Sequence, residues 1–114
     1  MDDCLFCKIS AGNIPCEDVF SDENFLAFRD IDPQAPTHIL VIPRRHVSGL
    51  AQLQGPDADL ADGLLTTAVK IAADLGLAEK GYRFVINQGD EGGQTVGHLH
   101  LHILGGRAMA WPPG

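Results

Sequence analysis

Three histidines near the C-terminal end of the chain, His98, His100 and His102, alternate strictly with apolar residues, and the sequence has only five histidines in all. Strict alternation is the period of a half-buried strand, so the three imidazoles are predicted to share one face while the apolar residues between them pack into a core. Because the unperturbed pKa of histidine lies nearest neutrality, such a row can supply a nucleophile, an acid or base, or a metal ligand. The pattern therefore indicates chemistry or metal binding.

Two other interpretations of this row stay open. The strand could have histidines on its solvent face without any function, or a His-x-His pair could bind a metal. Alternate residues on a strand lie about 6.6 Å apart, and the outer two of three lie about 13 Å apart. One metal could therefore bind two neighbouring histidines but hardly all three, which leaves at least one for another role.

Two of the three cysteines form the segment Cys4-Leu5-Phe6-Cys7. This spacing is typical of half a zinc site or of free thiols rather than of a disulfide framework. Two ligands do not complete a structural zinc site, so two further side chains would be needed. Two buried thiols without a metal are the alternative, and Cys16 is expected to be structural.

Length and charge limit the partners. With 114 residues we expect a single domain spanning residues 1–114, and the net charge of −7 disfavours a nucleic acid or an anionic membrane as partner. The acidic segment Met1-Asp2-Asp3-Cys4 precedes no hydrophobic stretch long enough for a signal peptide or a membrane span. These features predict a cytoplasmic protein.

The elements that must position these residues alternate short strands with one long helix. A short helical turn is predicted over residues 4–10, strands over 18–20, 25–29, 37–43, 82–87 and 98–104, and a glycine-rich loop over 90–97. The amphipathic helix is predicted over 57–75, with a Schellman-type stop at Gly76. Its apolar positions are Ala61, Leu64, Leu65, Ala68, Val69, Ala72 and Leu75. The order predicts an α+β fold, an antiparallel five-stranded sheet with one long helix across it and a short N-terminal helix.

Residues 98–104 match His-φ-His-φ-His-φ-φ, where φ is apolar, and so the chain resembles the histidine triad (HIT) superfamily. Residues 30–38, 41–43, 92–94, 105–107 and 111–114 resemble its Hint branch of nucleoside phosphoramidases. The resemblance covers nearly the whole chain. It implies the HIT-like fold and a two-fold homodimer, in which the tail around Trp111 can approach the partner subunit's site.

The resemblance implies a nucleotide hydrolase or nucleotidyl transferase. Such a protein attacks the α-phosphorus of a nucleoside 5′-phosphoramidate or related adenylate and releases a purine nucleoside monophosphate such as AMP or GMP. His100 would be the nucleophile and would form a covalent nucleotidyl intermediate. Attack needs one unprotonated imidazole nitrogen, a tautomer that a neighbouring backbone carbonyl can fix. His102 would contact the phosphate and assist with charge or protons, while His38 and His98 would complete the catalytic cluster.

The resemblance also implies a nucleotide site. Asp30 would bind the ribose. The apolar residues that would surround the base are Phe6, Ile9, Phe28 and Ile31; without the resemblance they would be interpreted as core residues. Asn87 would reach the phosphate or ribose, and the glycine-rich loop would donate to phosphate oxygens. The complete implied set is Phe6, Ile9, Phe28, Asp30, Ile31, Asn87, Gly93, Gln94, Thr95, His100 and His102.

Some prokaryotic members of the superfamily bind zinc, and the resemblance implies the ligands Cys4, Cys7, His46 and His98 here. Such a zinc would be structural and would fix His98; no organic cofactor is expected. Two positions depart from the branch pattern, Thr95 in place of a common serine and Gly97 in place of a frequent aromatic residue. A non-catalytic nucleotide-binding or scaffold protein and a metal-dependent phosphohydrolase remain the alternatives.

Overall fold

A computed structural model describes residues 3–114. Met1 and Asp2, which begin the acidic N-terminal segment, lie outside the described residues. The helices are α1 (Leu5–Ser10), α2 (Asp59–Asp74) and α3 (Gly89–Gly92), and the strands are β1 (Asp18–Ser21), β2 (Phe25–Arg29), β3 (Thr37–Pro43), β4 (Tyr82–Val85) and β5 (Leu101–Gly105). Within these residues no helix is long and apolar enough to cross a membrane.

The five strands form one antiparallel sheet in the order β1-β2-β3-β5-β4. The predicted α+β architecture is therefore confirmed. The pairing of β3 with β5 sets His38 opposite Leu104 and Leu40 opposite His102. Two segments that are 64 residues apart in sequence thereby bring their histidines to the same region of the sheet.

The sheet is covered on both faces, which explains the continuous apolar run of β3. Ile39 and Val41 belong to the larger core cluster, which includes the buried residues of α2. Leu40 and Ile42 point the other way and pack with Phe6 of α1. Burying each such side chain contributes roughly 1.5–3 kcal/mol. Both helices are thus held against the strand that carries His38.

Helix α2 ends as the sequence predicts. Gly76 has a φ of +76°, and its N–H donates to the Ala73 carbonyl at 3.0 Å. The N–H of Leu77 donates to the Ala72 carbonyl at 2.9 Å, which completes a Schellman motif. The predicted stop at Gly76 is confirmed.

Part of the predicted apolar stripe of α2 does not face the core. Leu64, Ala68 and Ala72 are buried, but Leu65 and Val69 are 46% and 50% exposed. The seven apolar positions span more of the helix circumference than one sheet face can cover, so the stripe continues onto the outer surface.

The predicted histidine strand over 98–104 begins later than expected, at Leu101. The pairing of Val41 with Leu101 would extend to Pro43 and Leu99, but proline has no N–H to donate to the ladder. Leu99 instead donates its N–H to the Val47 carbonyl at 2.7 Å. His98 and His100 therefore precede the strand, although Leu99, Leu101 and Ile103 pack in the core as predicted.

Candidate functional site

Four of the five histidines lie in two clusters of side chains whose ligand atoms converge. One, which we name the thiol cluster, consists of Cys4, Cys7, His46 and His98. The other, the carboxylate cluster, consists of Asp30, His38 and His102. In each cluster the ligand atoms lie within 4.8 Å of one another. His100 lies between His98 and His102 in sequence, and its ring centroid is 5.0 Å from that of His102.

The thiol cluster joins α1 to the two segments that carry His46 and His98. Cys4 caps α1, and its Sγ accepts the Cys7 N–H at 3.3 Å. The Cys7 Sγ lies 3.4 Å from Nδ1 of His46. Burial, followed by the neighbouring Cys4, raises the pKa of the Cys7 thiol, so a bound cation would be needed to favour its thiolate.

His98 is oriented as a metal ligand requires. Its ring is fully buried, and its Nε2–H donates to the Pro43 carbonyl at 2.8 Å. The lone pair therefore resides on Nδ1, which lies 3.2 Å from the Sγ of Cys4 and 3.6 Å from the Sγ of Cys7. Burial lowers the pKa of His98 and keeps it neutral. A histidine that donates its second N–H to a carbonyl is the usual zinc ligand, so the four side chains fit zinc.

His100 is held in the tautomer that a nucleophile requires. Its Nδ1–H donates to the backbone carbonyl of His98 at 2.8 Å, so Nε2 has no hydrogen. The Phe6 ring packs edge-on against it, with ring centroids 5.1 Å apart. Only 5% of the residue is exposed. The arrangement presents one imidazole lone pair from a rigid, largely buried ring.

The tautomers of the carboxylate cluster follow from one backbone amide. The N–H of Gln34 donates to Nδ1 of His38 at 3.0 Å, so the neutral His38 ring carries its hydrogen on Nε2. That Nε2–H donates to Nδ1 of His102 at 2.9 Å, and Oδ2 of Asp30 lies further away at 3.4 Å. With Nδ1 accepting, neutral His102 carries its hydrogen on Nε2. His102 is thereby a hydrogen-bond donor at Nε2.

Both rings of this cluster are neutral near pH 7. Burial, then the neighbouring His100 and His38, lowers the pKa of His102 to about 4, against the opposing effect of Asp30. Burial also lowers the pKa of His38, against Asp30 and Asp32. The donor at His102 is therefore an uncharged imidazole.

The carboxylate cluster does not fit a metal in this tautomeric state. A metal on Nε2 of His38 would require the ring hydrogen to move to Nδ1, where it would face the N–H of Gln34. Metal-bound histidines instead donate their second N–H to an acceptor. Asp30, His38 and His102 therefore do not form a metal site with these tautomers.

The predicted base-lining residues fall into two groups. Phe6 and Phe28 are both 4% exposed and pack edge to face, with ring centroids 5.7 Å apart. Ile9 packs against the same core cluster, so these three residues belong to the core, and their contact with a base stays a prediction. Ile31, in contrast, is 101% exposed and lies directly beside Asp30. Ile31 therefore offers an exposed apolar side chain next to a carboxylate.

The glycine-rich loop is braced by the side chain of Gln94. Its amide nitrogen donates to the carbonyls of Ser48 and Val96 at 2.8 and 3.0 Å. Its amide oxygen accepts the Gly89 N–H at 3.0 Å. The side-chain N–H groups of Gln94 thus donate within the loops in this structure, and contact of Gln94 with a phosphate stays a prediction.

The other predicted loop residues remain accessible. Gly93 caps α3 with a φ of +82°, which lets the chain turn towards Thr95, whose side chain is exposed. Asn87 is half-buried just beyond β4. Gly97 borders a cavity of about 640 Å³ that also contacts His46, and a Cβ at Gly97 would meet nothing within 4 Å. Gly97 therefore borders open space beside the thiol cluster.

Sequence reasoning missed Gln34 and Arg107 as parts of the site. Gln34 contributes only backbone atoms, which no side-chain pattern reveals. Arg107 donates to the Gln34 carbonyl from Nε at 3.2 Å and from a terminal nitrogen at 3.0 Å. Trp111, further along the tail, is 81% exposed, and its ring centroid lies 5.9 Å from the Arg83 guanidinium carbon.

Comparison with known proteins agrees with this fold. Residues 11–109 match the model of the HIT domain. A crystal structure of a HIT family hydrolase from Legionella pneumophila superposes with a TM-score of 0.95 at 54% identity and covers 98% of this chain and 100% of that one. The chain is 49% identical to adenylylsulfatase HINT1 of Arabidopsis thaliana, over 96% of this chain and 76% of that protein. It is 50% identical to a 14 kDa zinc-binding protein of Zea mays, over 96% of this chain and 87% of that protein.

A five-stranded antiparallel sheet with a histidine row leading into one strand defines the HIT class of fold. The matched domain covers most of the chain, and several relatives share about half its residues. The chain belongs to the HIT domain family.

Proposed function

We propose that this protein is a hydrolase that cleaves nucleoside 5′-phosphoramidates or related adenylates at the α-phosphorus and releases a purine nucleoside monophosphate. The observation that carries the proposal is the pair of tautomers at His100 and His102. His100 has a bare Nε2 because its Nδ1–H donates to the His98 carbonyl. His102 has an Nε2–H because its Nδ1 accepts from His38. A nucleophile and a donor thus occur on neighbouring rings.

The proposed reaction proceeds in two displacements. In the first, Nε2 of His100 forms a bond to the α-phosphorus as the bond from phosphorus to the leaving nitrogen breaks, and the leaving amine takes one proton from solvent. In the second, water attacks the phosphorus, the bond to His100 breaks and one proton returns to solvent. The Nδ1–H of His100 stays in place throughout, held by the carbonyl of His98.

In both displacements His102 stabilises the phosphoryl group by donating its Nε2–H. A preorganised neutral donor in a buried site is worth more than one in water, because it need not reorient as charge develops. The low pKa of His102, about 4, keeps it uncharged near neutral pH. We therefore assign His102 the role of a hydrogen-bond donor to phosphoryl oxygen.

The nucleoside is proposed to lie beside Asp30 and Ile31. The Asp30 carboxylate is half-buried and accepts the Asp32 N–H at 2.8 Å on one oxygen, which leaves lone pairs for ribose hydroxyls. Ile31 offers the exposed apolar contact for the base. Asn87 and Thr95 would supply donors from the segment between β4 and β5. Gly93, whose own N–H donates to the Asp90 carbonyl at 3.0 Å, would let the backbone approach the phosphate closely.

Zinc would be held by the thiol cluster, Cys4, Cys7, His46 and His98. When bound there it would have a closed set of four protein ligands and would serve as a structural brace. His98 would then be fixed through both ring nitrogens, and its carbonyl is the group that sets the tautomer of His100. The zinc-binding name of the maize relative agrees with this assignment.

Two alternatives differ in their predictions. A nucleotide-binding or scaffold protein would bind AMP without cleaving any phosphoramidate. A metal-dependent phosphohydrolase would need a metal on the triad histidines, and the amide of Gln34 opposes this at His38. The bare nucleophile of His100 favours the hydrolase over the pure binder.

A homodimer is also proposed. Leu65 and Val69 lie half-exposed on the outer face of α2, and β4 is an edge strand with one side unpaired in the sheet. A two-fold interface requires such a self-complementary patch. Sedimentation of wild type and of Val69→Glu tests this proposal, since the charged variant should sediment as a monomer.

The cellular setting proposed is the cytoplasm. Cys4, Cys7 and Cys16 are all free thiols. Free thiols that could bind a metal persist where glutathione keeps them reduced.

The experiment that tests the hydrolase is AMP release from adenosine 5′-phosphoramidate, with AMP binding measured by calorimetry. We expect wild type to release AMP and His100→Asn to bind AMP but release none. AMP binding by wild type without release would instead identify the binding protein. Release that persists in His100→Asn would exclude His100 as nucleophile.

A further inference from the structure

An arginine outside the histidine row contacts the backbone turn that orients the carboxylate cluster. The Arg107 guanidinium donates to the Gln34 carbonyl through two nitrogens, at 3.2 and 3.0 Å. The N–H of the same residue, Gln34, donates to Nδ1 of His38. Gln34 therefore accepts hydrogen bonds from Arg107 at its carbonyl and donates one to His38 from its N–H.

The geometry around the arginine favours this close approach. Gly106 has a φ of +89°, a conformation that side chains rarely adopt. A Cβ on Gly106 would lie 2.8 Å from the side chain of Pro36, so a larger residue would push the arginine segment away from the turn. The turn itself is tied further by the Gln34 side chain, which donates to the Asp32 carbonyl at 3.0 Å.

We propose that Arg107 is a positioning residue for catalysis, which holds the Gln34 amide against His38 and thereby fixes His102 as an Nε2–H donor. The chain of contacts runs from the guanidinium to the Gln34 carbonyl, from the Gln34 amide to His38, and from His38 to Nδ1 of His102. Arg107 touches none of the three members of the cluster directly. The inference rests on the proposed hydrolase function for its consequence in catalysis, but the tautomers can be measured without it.

Without Arg107, the turn loses its charged anchor and His38 is free to exchange tautomers. If the hydrogen of His38 moved to Nδ1, its bare Nε2 would accept instead of donate, and His102 would have to place its hydrogen on Nδ1. His102 would then face substrate with a lone pair. A lone pair opposed to phosphoryl oxygen repels it, so the loss is expected in kcat rather than in nucleotide affinity.

The test compares Arg107→Ala and Arg107→Lys with wild type, and uses Lys70→Ala as a charge-matched control. Lys70 is an exposed cation on α2 that pairs with Asp74. Nitrogen-15 spectra of histidine-labelled protein report which ring nitrogen of His38 and His102 carries the hydrogen. We expect single tautomers in wild type and Lys70→Ala, mixed tautomers in Arg107→Ala, and partial recovery in Arg107→Lys, which keeps the cation.

The kinetic readout is expected to follow the spectra. Arg107→Ala should lower kcat for adenosine 5′-phosphoramidate by about tenfold and leave AMP affinity unchanged. This loss is smaller than the roughly 10²- to 10³-fold loss of kcat expected when one donor is removed completely, because part of the His102 population keeps its Nε2–H. Wild-type tautomers in Arg107→Ala would overturn the proposal, whatever the rates. If wild type itself failed to release AMP, the hydrolase function would be wrong, and the spectra would still decide the role of Arg107. Should Arg107→Ala not fold, as judged by circular dichroism, Arg107→Gln takes its place with the same two outcomes, because it removes the cation but keeps most of the side-chain stem.

Discussion

The two histidine clusters of this chain use the same side chain for different purposes, and the backbone group beside each ring decides which. In the thiol cluster a carbonyl, that of Pro43, takes the hydrogen of His98 and leaves a lone pair facing the two sulfurs. In the carboxylate cluster an amide, that of Gln34, occupies a lone pair of His38 and leaves a hydrogen facing His102. A carbonyl neighbour therefore prepares a metal ligand, whereas an amide neighbour prepares a donor.

His100 has the same tautomer as His98 of the thiol cluster, but its ring lies beside His102 of the carboxylate cluster. A carbonyl, that of His98, takes its hydrogen, as at His98 itself. No sulfur or carboxylate converges on its remaining nitrogen among the clusters found in residues 3–114. In the reaction that we propose, this lone pair attacks phosphorus instead of binding a metal. The roles proposed for His98, His100 and His102, which are metal ligand, nucleophile and donor, thus follow from the backbone or side-chain group that each ring contacts.

The largest effect is expected from removing the nucleophile. His100→Asn should lower kcat for adenosine 5′-phosphoramidate by roughly 10⁴-fold or more, as for other enzymes that lose a covalent nucleophile. The zinc content should not change, because the ring of His100 is not part of the thiol cluster. Rates by chromatography and zinc by atomic emission check both. If His100→Asn lost zinc as well as activity, the thiol cluster and the nucleophile would not be independent, contrary to our account.

The next effect is the loss of one donor. His102→Asn should lower kcat by about 10²–10³, while AMP affinity changes little. Steady-state kinetics with calorimetry measure both terms. An unchanged kcat would mean that His102 donates to nothing in the transition state, and a loss as large as that of His100→Asn would make it more than a donor.

Zinc should stabilise the fold through the thiol cluster alone. Cys7→Ser should abolish binding of one zinc per chain and remove the stabilisation it provides, roughly 4 kcal/mol at free zinc a thousand times above Kd. Cys16→Ser is the matched control, since Cys16 is a half-buried thiol that packs against the same core cluster as Cys4 but is not one of the four converging ligands. Denaturant unfolding with and without zinc gives the comparison. Equal zinc stabilisation in wild type and Cys7→Ser would refute the assignment.

The smallest effect concerns pH. The folded pKa of His102 is about 4, below the value of about 6.5 for an exposed histidine. Between these values the unfolded chain binds more protons than the folded chain. The part of the free energy of unfolding that depends on neutral His102 is therefore complete above about pH 6.5 and is lost as the pH falls towards 4. His102→Asn should reduce this loss by about 1–2 kcal/mol, given that the ring is only partly buried. Denaturant unfolding of both proteins from pH 7 to pH 4.5 tests this, and identical slopes would contradict it.

Much of the fold was readable from the sequence because its signals are local. The period of α2, the stop at Gly76 and the hairpin of β1 and β2 depend on neighbours within a few residues, and all three appear as predicted. The predicted start of β5 is wrong, because the end of a strand depends on its partner strand. Here the partner residue would be Pro43, which has no N–H to donate. The sequence does not predict the exposure of Leu65 either, since periodicity does not give the width of the surface that covers a helix.

The candidate site divides in the same way. Side-chain patterns name the histidines and cysteines, and the structure brings Cys4 and Cys7 to His46 and His98. What no pattern gives is the direction of each hydrogen bond. The roles of the carbonyl of Pro43 and the amide of Gln34 are backbone properties that any residue type could supply, apart from the N–H that proline lacks.

The central claim is that His100 attacks phosphorus with a bare Nε2. The most direct measurement is intact-protein mass spectrometry after a brief quench of wild type and His100→Asn mixed with adenosine 5′-phosphoramidate, with AMP followed in parallel. We predict a transient, acid-labile adduct of one adenylyl group on wild type, absent from His100→Asn. Release of AMP by wild type with no adduct at any quench time, together with an active His100→Asn, would contradict the account.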